Sequence, residues 1–451
     1  MTALTLEKIG ALLLCHQDGI RRMQWAVVGI YLFLVGVPAF LDLPSSTSHL
    51  WNDLVLLAQF VFWGVWWPLV LVATVLFGRV WCGFFCPEGT LTEWASRKGR
   101  GLSVPSWIRW GGWPFAAFVL TTLYGQMISV YQYPRPALLI LGGSTLAAIA
   151  VGALYGRNKR VWCRYLCPVN GVFALLAKLS PLHFKVDQEA WHASQDRHAP
   201  LKGFVCAPLV AVRTMKGGSA CHMCGRCNGF RDAVALSVRS PVQEIVKVAG
   251  EKPQPWETAL VLFGLSGVAM GAFHWQGSFW FIALKQGIAE WLVERDLSWP
   301  LEAWAPWWLL TNYPMNNDVM TLLDGGVLII YVAATALLMG TGLAGLLLLA
   351  SLVTGRKNWK VLFHHLAQGL IPLAGAGVVL GLSGLTVSLL RAEGIILPGL
   401  NEARLALLAL GALASLVLGW KIAGHYAKGW RRVACTSLSG LAVALGTWGW
   451  S

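Results

Sequence analysis

Long runs of apolar residues, separated by short polar stretches, decide what this chain can fold into. They cover about residues 24–42, 54–77, 112–131, 137–155, 256–274, 325–353, 368–390, 404–423 and 433–450. A run of roughly 18 apolar residues is long enough to cross the hydrocarbon core as a helix. A helix also satisfies its own backbone hydrogen bonds where no water is present. Only 12% of the 451 residues are charged, against about 25% in ordinary globular domains, and the mean hydropathy is +0.59. The pattern predicts an all-α polytopic membrane protein with about nine transmembrane helices.

The formal net charge of +14 does not mark a nucleic-acid binder, because the basic residues form no single patch. They fall between the apolar runs: Arg21-Arg22, then Arg97, Lys98, Arg100 and Arg109, then Arg157, Lys159, Arg160, Arg164 and Lys178, then Arg356, Lys357 and Lys360, then Lys428, Arg431 and Arg432. If the spans alternate, all these clusters lie on one side. The opposite segment 43–53 has no Lys or Arg, and 132–136 has only Arg135. Lys and Arg concentrate in cytoplasmic loops, so the amino terminus is expected in the cytoplasm of a bacterial inner-membrane protein. No cleavable signal is expected in residues 1–22, which lack an apolar stretch followed by a small-residue cleavage site.

Four blocks follow: a cytoplasmic amino-terminal segment, 1–23; a four-helix membrane half, 24–178; a cytoplasmic cysteine-rich segment, 179–255; and a second membrane half, 256–451. The last includes a tryptophan-rich, mildly acidic stretch, 275–324, with Trp275, Trp280, Trp291, Trp299, Trp304, Trp307 and Trp308. It is expected on the outer face with amphipathic pieces in the headgroup layer, where an apolar ring bearing a polar N–H is favoured.

The chemistry is concentrated in the cysteines. Arg79-Val80-Trp81-Cys82-Gly83-Phe84-Phe85-Cys86-Pro87 and Arg160-Val161-Trp162-Cys163-Arg164-Tyr165-Leu166-Cys167-Pro168 are near-copies, each at the end of an apolar run. Proline after the second cysteine stops regular continuation of the helix, so two such ends could gather four thiolates. A third cluster is Cys221-His222-Met223-Cys224-Gly225-Arg226-Cys227. C-x-x-C-x-x-C is the core of the run that holds a cubane iron–sulfur cluster, but the fourth position of that run, a cysteine before proline, is Arg231 here. Cys206, followed by Ala207-Pro208, is the natural substitute. Cys82, Cys86, Cys163, Cys167, Cys206, Cys221, Cys224 and Cys227 then supply eight thiolates for two [4Fe–4S] clusters, with the pairing left open. Zinc is the rival occupant, since four thiolates suit it too; structural zinc more often shows two C-x2-C pairs. Cys15 and Cys435 are read as non-ligands.

Haem is possible but not expected. His274, His364, His365 and His425 lie near span ends, but no two sit at a depth that would let them face one another. His222 either tunes a cluster or is a surface residue. Gly375, Gly377, Gly381 and Gly384 read as a helix-packing face, with Pro372 as a source of a kink. The near absence of paired Asp or Glu inside spans argues against a metal permease.

Paired C-x-x-x-C-P strings at membrane helix ends, followed by a ferredoxin-type segment, resemble the membrane polyferredoxins of the NapH, NosR and CcoG type over about 54–240. In that resemblance Cys82, Cys86, Cys163 and Cys167 match the C-x-x-x-C-P pairs, and Cys221, Cys224 and Cys227 match the ferredoxin run. The chain departs from NapH and CcoG in having one ferredoxin run and an added second membrane half. The string C-H-M-C-G-R-C-N-G-F-R-D-A-V, residues 221–234, is similar to the polyferredoxin component of bacterial iron-uptake systems, FtrD. The resemblance implies a one-electron relay beside an iron permease, a periplasmic cupredoxin-like protein and a periplasmic iron-binding protein. Two other readings stay open: an assembly or redox-sensing accessory protein, and a quinol-oxidising module.

Overall fold

Among the described residues of the computed structural model, eight helices are long and apolar enough to cross a membrane: Gln17–Phe40, Leu54–Phe77, Pro134–Tyr155, Pro255–Gly277, Leu322–Val353, Trp359–Ala392, Leu400–Tyr426 and Gly429–Trp450. The structure describes residues 3–45, 47–194, 205–355 and 358–451. Arg356 and Lys357, part of one expected basic cluster, lie outside the described residues, as does 195–204 of the cysteine-rich segment.

The expected run 112–131 becomes a shorter helix, Trp113–Met127, of 15 residues. At 1.5 Å per residue it is about 22 Å long, less than the roughly 30 Å hydrocarbon core. The chain leaves it at Ser129, whose φ is 50°, in a turn that returns Val130 N–H to the Gly125 carbonyl. The expected run 368–390 starts earlier, because Trp359–Gln368 and Ile371–Ala392 follow one another across Gly369 and Leu370. Pro372 lies in the first turn of the second helix, where its missing N–H has no partner to lose. Leu322–Val353, with 32 residues, starts on a reciprocal cap. Thr321 Oγ1 accepts from Asp324 N–H, and the Asp324 carboxylate accepts from Thr321 N–H, which satisfies two of the free donors of a helix start.

The chain forms two compact units. One is built from Met1–Phe33, Leu69–Pro114 and Ser144–Pro253. It holds the amino-terminal helix Ala3–Cys15, the short helices that carry the cysteines, and a two-stranded antiparallel ladder pairing Leu182–Val186 with Val234–Val238, Phe184 opposite Leu236. Leu6, Phe184, Trp191, Val212, Met223, Val234 and Leu236 pack into one core with Cys221 and Cys227. Burial of such side chains contributes about 1.5–3 kcal/mol each, and Leu6 makes the amino-terminal helix part of the core of the cysteine-rich segment.

The other unit is built from Leu34–Pro68, Phe115–Gly143 and Gln254–Ser451. Its helices approach closely at small residues. A β-carbon on Gly377 would lie 2.2 Å from Trp450, on Gly381 2.2 Å from Phe273, and on Gly267 2.7 Å from the Ala336 backbone. Trp280, Trp291, Trp299, Trp304 and Trp308 of the tryptophan-rich stretch are exposed, around the 15-residue helix Phe279–Val293.

Candidate metal centre

The two R-V-W-C strings fold alike. Each makes a five-residue helix, Val80–Phe84 and Val161–Tyr165. Each then closes on the tryptophan carbonyl: Phe85 and Cys86 N–H donate to Trp81 O, as Leu166 and Cys167 N–H donate to Trp162 O. After Cys86 the chain enters the helix Pro87–Arg97, and Gly89 N–H donates to Cys86 Sγ at 3.3 Å. Pro87 in the first helical turn forfeits no backbone bond.

These turns bring Cys82, Cys86, Cys163 and Cys167 together. Burial pushes the Cys163 thiol up to about 12, with Arg160 pulling down and Cys82 pushing up. Burial likewise lifts Cys86, helped by Cys82 and Cys163, and Cys167, helped by Glu88, Cys163, Cys86 and Cys82. The second set forms in the cysteine-rich segment, where Cys206, Cys221, Cys224 and Cys227 line one pocket with Phe184 and Met215. Burial raises Cys221 to about 12, with Cys224 adding to it, and Cys206 to about 11. Met223, φ 54°, and Gly225, φ 75°, turn the chain between the cysteines. The Met223 N–H donates to Cys221 Sγ at 3.4 Å.

All ten cysteines are free thiols. Cys15, which is exposed, and Cys435, which is buried, belong to neither set. Among the described residues, no three His, Cys, Asp or Glu side chains are placed to hold a single metal ion. The donor chemistry fits a soft multi-iron centre: eight sulfurs, two sets of four, little water. Without metal, burial favours the neutral thiol at Cys86, Cys163, Cys167, Cys206, Cys221 and Cys227, whereas cationic iron makes thiolate the favoured form.

The two sets are held against each other. A β-carbon on Gly83, between Cys82 and Cys86, would lie 2.1 Å from the His222 carbonyl and 3.2 Å from Cys224 N. Gln24 donates to Gly83 O at 2.7 Å and Gln17 to Cys224 O at 3.0 Å. Arg160 donates to Cys82 O at 2.7 Å and to Glu93, while Arg226 meets the other Glu93 oxygen at 2.8 Å. His222 is buried, its Nδ1 has no hydrogen-bond partner among the described residues, and burial with Arg79 and Arg160 holds its imidazole well below the ordinary range. Arg231 instead lies over the Trp191 and Phe230 rings, 5.4 and 5.8 Å from their centroids.

Sequence reasoning did not single out Glu93, nor Glu88, whose carboxylate accepts from Ser144 Oγ at 2.6 Å and Trp162 Nε1 at 2.9 Å. It also missed the buried Arg239–Glu244 pair, in which Glu244 accepts from Gly218 N–H at 2.7 Å and steadies the approach to Cys221. The repetition of the arginine in both R-V-W-C strings was the one available signal. Of the histidines near span ends, His364 bonds Thr258, His365 bonds Tyr426, and His274 bonds the Met270 carbonyl.

Fold and site together define a multi-pass helical membrane protein with an iron–sulfur binding region. Residues 59–105 and 138–187 match the 4Fe-4S binding domain, one copy of C-x-x-x-C-P in each. The chain is similar to YccM of Escherichia coli (strain K12), whose name assigns it to electron transport, at 23% identity over 46% of this chain and 64% of that protein. It is also similar to the regulatory protein NosR of Pseudomonas aeruginosa, 28% identical over 25% of this chain and 18% of NosR. Protein NirI of Paracoccus denitrificans (strain Pd 1222) is 30% identical over 35% of this chain and 25% of NirI. The chain thus spans less than two thirds of the length of each of these relatives. No solved structure matches it.

Proposed function

We propose that this protein is a membrane iron–sulfur electron carrier that relays single electrons between a membrane or periplasmic redox partner and the cytoplasmic side. The observation that carries the reading is the gathering of eight buried or half-buried free thiols into two sets of four. Cys82, Cys86, Cys163 and Cys167 would hold one [4Fe–4S] cluster, and Cys206, Cys221, Cys224 and Cys227 the other. A bound cubane supplies a one-electron redox centre. The residues of the chain supply thiolate ligands, N–H donors to sulfur at Cys86 and Cys221, exclusion of water, and positive charge, all of which tune potential. No general acid or nucleophile is needed.

The likeness to YccM supports electron transfer. The two C-x-x-x-C-P strings meet, so the basic clusters beside them share one side of the membrane; their charge supports an inner-membrane protein with both sets on the cytoplasmic side, and the exposed tryptophans support 275–324 as the outer, partner-facing stretch. In this reading the system is ferrous-iron uptake, as the likeness of 221–234 to FtrD suggests, with an iron permease and a periplasmic cupredoxin-like or iron-binding protein as partners. The likeness to the regulatory protein NosR favours a second reading, a redox-sensing accessory protein; it predicts clusters that cycle without delivering electrons to a stable partner.

Anaerobic purification with iron and acid-labile sulfide counts, and EPR after reduction, tests the first reading. About eight iron and eight sulfide per chain with cubane signals are expected. Zinc without sulfide overturns it.

A further inference from the structure

We propose that Arg79 and Arg160, the first residues of the two R-V-W-C strings, form a charged layer between the two thiol sets, in which Arg79 raises the reduction potentials and Glu93 limits the contribution of Arg160. The inference rests on the two-cluster reading above and adds residues that tune it.

Arg79 is 3% exposed. Its Nη2 lies 3.8 Å from Cys82 Sγ and donates to Asn170 Oδ1 at 2.8 Å, while Nη1 donates to the carbonyl of Ser219, two residues before Cys221, at 3.3 Å. Its Nε is buried with no hydrogen-bond partner among the described residues. Its acceptors among the described residues are a sulfur, an amide and a carbonyl, none of them a carboxylate. Arg160 is 2% exposed and reaches both sets as well. Its side chain bonds Cys82 O and its backbone N–H bonds Ala207 O, next to Cys206, at 2.7 Å. Unlike Arg79 it has a carboxylate, Glu93, 2.7 Å from both Nε and Nη2.

A buried charge without a counter-charge costs several kcal/mol, and a guanidinium does not escape by losing its proton. The counter-charge available to Arg79 is the thiolate-ligated cluster, which is anionic. Reduction adds one more negative charge, so a fixed cation beside it favours the reduced form. Glu93 opposes the same effect from Arg160. Neutralising the two residues therefore moves the potential in opposite directions, which a purely structural clamp would not do.

The test is an anaerobic dithionite titration followed by EPR on the full-length protein in detergent, comparing native, Arg79→Gln, Arg79→Lys and Glu93→Gln. Arg79→Gln is expected to lower the midpoint, changing the oxidised-to-reduced ratio at fixed potential roughly tenfold, or about 59 mV for one electron. Arg79→Lys keeps the charge while losing the fork and stays near native. Glu93→Gln raises the midpoint. An unchanged midpoint in a cluster-replete Arg79→Gln, or a Glu93→Gln midpoint that is unchanged or lowered, overturns the proposal. If Arg79→Gln loses its clusters, the sign of the Glu93→Gln shift decides, and an Arg79→Lys midpoint lowered like that expected of Arg79→Gln overturns the proposal. A native protein with no iron and sulfide takes down the two-cluster reading and this one with it, before any variant is compared.

Discussion

Arg160 Nη2 and Glu93 Oε2 lie 2.7 Å apart in a buried ion pair that ties the second R-V-W-C string to the helix following the first. Burial alone pushes the Glu93 carboxyl up, but Arg160 and Arg226 outweigh it and hold it down at about 2. The folded value is below the ordinary glutamate value of about 4.3. The pair therefore stabilises fully above pH about 4.3, and that contribution is lost as pH falls toward about 2. Glu93→Ala leaves two guanidinium groups without their carboxylate, and a broken buried pair costs about 3–5 kcal/mol. A clear drop in melting temperature at pH 7, followed by tryptophan fluorescence in detergent, is expected. An unchanged melting temperature would show that water reaches the pair.

His183 gives a second acid-sensitive step in a different window. It sits in the strand Leu182–Val186 with Nδ1 unpartnered among the described residues. Burial, then Arg239, hold its imidazole down at about 4, against about 6.5 unperturbed. The folded protein keeps it neutral while the unfolded chain takes up a proton, so stability falls as pH drops from about 6.5 to 4. His183→Gln is expected to flatten the pH dependence of the melting temperature in that interval and leave the lower one in place. Equal slopes in both proteins would refute the assignment.

Gly83 and Arg164 occupy the same position in the two strings, between the paired cysteines. Only Gly83 faces backbone, 2.1 Å from the His222 carbonyl to a would-be β-carbon; Arg164 is exposed. A backbone neighbour cannot turn away as a side chain can. Gly83→Ala is therefore expected to displace residues 222–224 and lower the iron held by the second set, whereas Arg164→Ala leaves the iron count intact. Iron and sulfide per chain are the readout.

Cys206 is separated from Cys221 by fourteen residues, and 195–204 just before it lie outside the described residues, yet it lines the same pocket as Cys221, Cys224 and Cys227. Cys206→Ser is expected to bring iron from about eight to about four per chain, the content of one cubane. Cys435→Ser, in a helix distant in sequence from either set, keeps about eight. If Cys206→Ser also keeps about eight, the fourth ligand is another group.

Spacing made the cysteines legible, because thiolates two or three residues apart reach one centre whatever surrounds them. The apolar spans were legible for a similar reason: lipid demands a continuous run of about 20 residues, a one-dimensional property. The run 112–131 came out shorter because its end depends on a left-handed turn at Ser129, set by local geometry that hydropathy does not record. Glu93 escaped notice because its meaning is a pairing across 67 residues with Arg160. The asymmetry between Arg79 and Arg160 is invisible in strings that begin with the same four letters. Only tertiary contact shows that one guanidinium has a carboxylate and the other a sulfur.

The four glycines of the span 368–390 looked equivalent as a packing face, but the structure separates them. A β-carbon on Gly377 would meet the Trp450 ring at 2.2 Å and one on Gly381 the Phe273 ring at 2.2 Å, whereas one on Gly384 meets nothing within 4 Å. All three sit inside the helix Ile371–Ala392, so the intrinsic benefit of alanine over glycine, about 0.5–1 kcal/mol, is common to them. Gly384→Ala gains that benefit alone and is expected to raise the melting temperature slightly. Gly377→Ala and Gly381→Ala must push aside a large ring in a packed interior, and overpacking costs about 1–3 kcal/mol, so both are expected to lower it. Trp450→Ala should remove the penalty at Gly377 and not at Gly381, because the obstructing ring is different. Thermal unfolding in detergent of the three glycine variants, of Trp450→Ala, and of Trp450→Ala combined with Gly377→Ala and with Gly381→Ala checks this, and shifts of one sign for Gly377→Ala and Gly384→Ala would show that propensity, not contact, governs the helix.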